Sequence, residues 1–154
     1  MAMEPKTMSD VLELTREWHR QLSEHLHRSA DESGSERNDM LLEYLSEHER
    51  KLAETLEYFQ RDADIEALNT WFYEYTDRHK IIHRDPHEIP FTRMSNDEIT
   101  GEIAELHNQL VDLYKHLHER AESETTREVL QQLLDIERSE SRLISVGAER
   151  SQEM

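Results

Sequence analysis

A chain of 154 residues is long enough for one ordinary domain with one core. Its 35 acidic against 18 basic side chains, a formal net charge of −17, weigh against non-specific binding to nucleic acid or an anionic membrane. The absence of cysteine removes disulfide, thiolate-metal and thiol chemistry.

With three glycines and three prolines, turns are few, which argues against a many-stranded β protein and for long amphipathic helices. The first predicted helix runs from about Ser9, read as its N-cap, to Glu32, with Val11, Thr15, Trp18, Leu22, His25 and Ser29 on one face. Ser33–Gly34–Ser35 reads as a turn. A second helix follows from Glu36 to Arg61, with a seam of Leu41, Leu45, His48, Leu52, Thr55 or Leu56, and Phe59.

From Asp62 to Met94 the pattern changes. One short amphipathic piece spans Ile65 to Tyr75, and Pro86 and Pro90 prevent a continuous helix beyond it. Trp71, Phe72, Tyr73 and Tyr75 form an aromatic group that either packs this piece on the bundle or makes a dimer contact. Ser95 with Glu98 is a capping box opening a third helix that reaches Glu122, striped by Ile99, Ile103, Leu106, Leu110, Leu113 and Leu117. The fourth helix covers Thr126 to Val146, ending near Gly147, with Val129, Leu133, Ile136, Glu140 and Leu143 inward.

The expected architecture is an all-α four-helix bundle over residues 9–147, with flexible termini at 1–8 and 148–154. Two tight hairpins joined by a long link suit a ferritin-like topology, in which the third helix starts beside the first turn. A simple bundle with an elaborated middle loop is the alternative.

At about 1.5 Å per helical residue, the crossover topology brings His25, His48, His107, Glu137 and Glu140 into one interior slab. A glutamate on such a stripe is costly unless paired or bound. Three readings stay open: a buried network of imidazoles and carboxylates that fixes helix register, a transition-metal site for iron or manganese, or helices rotated so that these groups face water.

In helix lengths and the long middle link, the span from Val11 to Val146 resembles the ferritin-like superfamily, nearest its rubrerythrin-type and uncharacterised bacterial members. Diiron members carry Glu on the first and third helices and Glu-x-x-His on the second and fourth. Here the second helix offers Glu49 to Leu52, the fourth Glu137 to Glu140, the third His107, and the first Glu17 or Glu24. Neither the second nor the fourth helix carries a complete Glu-x-x-His. Hemerythrin-like bundles are the rival resemblance. His79 to His83 matches their His-x-x-x-His, and His107 to Asp112 matches His-x-x-x-x-Asp. His19 and His48 are left as the remaining imidazoles, with Leu52 where that family has a bridging Glu. His79, His83 and His87 fall four apart in the link, where Pro86 separates the last from the first two.

No G-x-S-x-G, P-loop, dinucleotide fingerprint or H-E-x-x-H occurs, so the sequence names no reaction. The leading expectation is a non-catalytic interaction or assembly protein, a homodimer without a cofactor and with a polar His/Glu layer in its core. The alternative is a metal-binding, oxidoreductase-like protein that holds iron or manganese in a nonstandard His/Glu site. With no span of membrane length and no apolar leader, the expected location is the cytoplasm.

Overall fold

The computed structural model describes residues 6–72 and 85–153, with side chains described as far as 147. Four long helices carry it: α1 (Met8–Glu32), α2 (Glu36–Asp62), α4 (Asn96–Arg120) and α5 (Glu124–Glu153), with a one-turn helix α3 (Ile65–Leu68) after α2. Two 3₁₀ turns, Pro86–Glu88 and Phe91–Arg93, lead into α4. The fold is a ferritin-like bundle with a short helix in its crossover. No described helix is long and apolar enough to cross a membrane.

The ends of the helices follow from local chemistry. Thr7, not Ser9, caps α1. Its hydroxyl accepts from the Asp10 N–H while the Asp10 carboxylate accepts from the Thr7 N–H, a closed capping box. Ser9 sits inside the first turn and accepts from the Gln60 amide instead. Gly34, at φ 69°, makes the reversal between α1 and α2 that a side chain would strain. Ser95 and Glu98 form the expected box at the start of α4. Ser123 caps α5 through the Thr126 N–H.

The fourth helix does not stop at Gly147 but continues to Glu153. The Tyr44 ring lies across α5 at this point, and a Cβ on residue 147 would sit 2.0 Å from its hydroxyl oxygen. Gly147 gives room for an aromatic ring rather than a stop signal, and a single glycine is tolerated within a helix.

Crossover contacts establish the topology. At the first-turn end, the Asn38 amide donates to the Met94 carbonyl and the Asn96 amide donates to Asn38. At the opposite end, the Thr70 and Thr126 hydroxyls meet at 2.8 Å, and residues 7 and 71 form an isolated antiparallel bridge. The link therefore travels the length of the bundle, and α4 starts beside the α1–α2 turn. Of the aromatic group, Phe72 is buried and Trp71 is exposed; Tyr73 and Tyr75 lie outside the described residues.

The core is a continuous stack of fully buried side chains from all four long helices, among them Leu12, Leu22, Leu45, Leu56, Ile103, Leu110, Leu130 and Leu133. Each contributes about 1.5–3 kcal/mol by leaving water. That apolar frame offsets the cost of the polar layer it encloses.

Candidate metal centre

Halfway along the bundle the leucine stack is interrupted by four polar side chains, one from each long helix: His19 on α1, Glu49 on α2, His107 on α4 and Glu137 on α5. Three have no solvent exposure, and His107 retains 1%. His19 and Glu49 each lie about 20 Å from the α1–α2 turn at helical rise, so the hairpin brings them level. The α4–α5 hairpin does the same from the other end. In both hairpins the His precedes its Glu by 30 residues.

The four groups close into a ring. His19 Nδ1 lies 2.5 Å from Glu49 Oε2, and His19 Nε2 lies 2.9 Å from Glu137 Oε1. His107 Nδ1 lies 3.0 Å from Glu137 Oε2, and His107 Nε2 lies 2.5 Å from Glu49 Oε1. Each carboxylate spans two imidazoles, and each imidazole spans two carboxylates. The imidazole centroids are 5.5 Å apart.

This geometry sets the charge. An ionised carboxylate only accepts, so an imidazole with both nitrogens against carboxylate oxygens must carry both N–H protons. As arranged, the ring is two imidazolium ions and two carboxylates, neutral in sum. Burial alone would lower the His19 pKa, but the Glu137 and Glu49 charges and their hydrogen bonds outweigh it and raise it to about 9. His107 is likewise raised against the pull of burial by Glu49 and Glu137. Burial pushes Glu49 and Glu137 up; the two imidazoles overcome it and hold both carboxyls well below the usual range. Tyr114, pushed up by burial and by the Glu137 charge, stays neutral and donates to the Thr15 hydroxyl at 3.0 Å.

The donor set fits a metal ion. One ligand atom each from His19, Glu49 and His107 lies within 4.8 Å of the others. Glu137 faces both imidazoles from the fourth helix. Without its two extra protons the ring carries a charge of two minus, which a divalent cation would balance. Imidazole with carboxylate is a donor set that suits iron and manganese.

Of the residues singled out from the sequence, the structure brings His107 and Glu137 into this ring. His48 and Glu140 pair with each other at 3.2 Å just outside it, with side chains 18% and 24% exposed. His25 points away from the bundle axis, 2.7 Å from the Ile89 carbonyl of the crossover. His87 lies beside Arg28, and His79 and His83 fall outside the described residues. Inside α2 the fully buried position belongs to Glu49 rather than to its neighbour His48. His19 lies outside the slab that helical rise predicts. The apolar face of α1 steps from Leu22 to Leu26, not to His25, and that four-residue step turns His19 inward.

The chain matches no family profile, and no curated protein matches it. Among solved structures it is similar to a protein from Thermotoga maritima described as a ferritin-like diiron-carboxylate protein. The two share 14% identity and a TM-score of 0.61, over 97% of this chain and 99% of the other. That likeness is one of fold.

Proposed function

We propose that the protein is a metal-binding ferritin-like bundle in which His19, Glu49, His107 and Glu137 hold one divalent transition metal, iron or manganese. The observation that carries this reading is the convergence of two imidazoles and two carboxylates, one from each helix, in a layer sealed from water. A polar layer serving packing alone is free to use uncharged groups; here two imidazolium protons balance the two carboxylates, and a divalent cation that displaced those protons would balance the same charge. Such a metal would supply redox or Lewis-acid chemistry at the centre of the bundle. The chain's own part is to present four ligand atoms from rigid helices, to keep bulk water out, and to surround the centre with leucine. Tyr114 and Thr15 add a neutral hydrogen-bonded pair, Thr15 one turn before His19 on α1 and Tyr114 two turns after His107 on α4.

A second reading is supported by the closure of the ring itself. All eight of its nitrogen and oxygen atoms are paired, so the layer also works as a register lock between the hairpins in an interaction or assembly protein. Elemental analysis of protein purified without a tag or chelator separates the two. The metal reading expects about one iron or manganese per chain, lost in His19→Ala and Glu137→Ala but kept in His48→Ala. Protein that remains without metal after loading with ferrous iron or manganese leaves the lock as the function of the ring.

A further inference from the structure

A cavity of about 120 Å³ lies between α4 and α5, directly above the ring towards the first-turn end. On α4 it is lined by Thr100 and Asn108 with His107 at its base; on α5 it is lined by Ser141 and Ser145. Ser141 is one turn beyond Glu137, so the cavity stacks on the ring along both helices. Asn108 and Ser145 are exposed and mark its mouth. Its base is the one ring member with any solvent exposure.

Thr100, Asn108, Ser141 and Ser145 share its lining with the apolar Ile103, Ala104 and Ile144. The Ser141 hydroxyl oxygen is buried and has no hydrogen-bond partner among the described residues, so it is free to bond what enters the space. The volume corresponds to roughly four waters at their share of liquid volume, enough for a small hydrated ion shedding its shell. The larger groove of about 520 Å³ on the α1–α2 face has a different character. Arg20 and Arg50 in it are each ion-paired to glutamates of their own helix, and no ring residue lines it.

We propose that the α4–α5 cavity is the passage by which a divalent cation reaches and leaves the ring, with the Ser141 hydroxyl as a way-station above His107. This rests on the metal-binding reading of the same ring. A passage controls rates without controlling the end state, so filling it should slow binding and release together.

Trp18 provides the readout, because its ring centroid lies 5.3 Å from that of His19 and it is buried. In a Trp71→Phe background it is the sole tryptophan. Stopped-flow mixing of chelator-treated protein with Co²⁺ follows association through quenching, and a chelator chase follows release. Ser141→Leu is expected to slow both about tenfold, a barrier increase of ~1.4 kcal/mol, with the dissociation constant unchanged. Ser145→Leu, at the exposed mouth, serves as a second plug with little risk to folding. Ser141→Ala, which leaves the space open but removes the way-station hydroxyl, should slow both steps about threefold, less than the plugged variants, whereas Glu54→Leu in the opposite groove should keep the wild-type rate. Unchanged rates in both plugged variants with full quenching amplitude would overturn the passage while leaving the metal site standing. An absence of quenching and of bound Co²⁺ in unplugged protein would instead overturn the site, and the passage with it.

Discussion

The bundle contains the same chemical pair in two settings a few ångströms apart along α2 and α5. Glu49 and Glu137 meet His19 and His107 in a closed ring without water, whereas His48 and Glu140, next to Glu49 and three residues past Glu137, form an open pair at the surface. In the ring every carboxylate has two donors, one on each oxygen, and only His107 retains any exposure. In the open pair each partner is partly exposed and can turn to water, and the Tyr44 ring lies 4.5 Å from that of His48. Partner number and burial, not residue type, decide which of the two is a centre.

The comparison breaks most readily by truncation. In chelator-treated protein, His19→Ala leaves two buried carboxylates sharing one imidazolium, and the expected loss is about 3–5 kcal/mol. His48→Ala removes half of a solvent-accessible pair and should cost about 1 kcal/mol or less. Urea unfolding of the two variants beside the parent measures both. Equal losses would mean that the ring is no better sealed than the pair.

Much of this was legible before the structure. Helix spans, the box at Ser95 and Glu98, the crossover and its short helix follow from periodicity and capping. His107 and Glu137 were visible as polar residues near apolar stripes. His19 was hidden because a 3.6-residue period permits a step of three or four after Leu22. The three-residue step chose His25, which in the folded chain bonds the crossover at Ile89, a partner that no local pattern reveals. Glu49 was seen only as part of an incomplete family motif, because His48 beside it fitted the leucine seam. A non-local signal existed. The His-to-Glu spacing is the same in both hairpins, and Glu17–Arg20–Glu24 on α1 repeats as Glu47–Arg50–Glu54 on α2, with His19 and Glu49 in equivalent places. Gly147 misled for the opposite reason, since a local stop signal was overridden by a tertiary contact.

The acid–base behaviour of the ring sharpens the comparison. His19 has its folded pKa raised from 6.5 to about 9, so its contribution is complete below pH 6.5 and is lost as pH rises towards 9. The glutamates have theirs lowered, so their contribution is complete above pH 4.5 and is lost as pH falls below it. Chelator-treated protein should therefore be most stable between about pH 4.5 and 6.5, with a loss of the order of 3 kcal/mol from His19 alone on the alkaline side. Unfolding free energies across that range test it. The alkaline decline should persist in His48→Ala and disappear in a variant carrying Leu at all four ring positions.

The smallest effect is expected where the open pair meets Tyr44. Gly147→Ala improves helix propensity by about 1 kcal/mol. The added methyl group, however, would collide with the Tyr44 phenol, which donates to the Leu143 carbonyl at 2.9 Å. Swinging the phenol into solvent loses a hydrogen bond worth about 0.5–1.5 kcal/mol. The two terms nearly cancel, so the melting temperature should move by no more than about 2–4 °C. The cover over His48 would open, while the ring, held by its own partners on four helices, should keep its full metal content. A fall in metal per chain in this variant would show that the open pair and the closed ring act as one unit, and that the distinction between them is false.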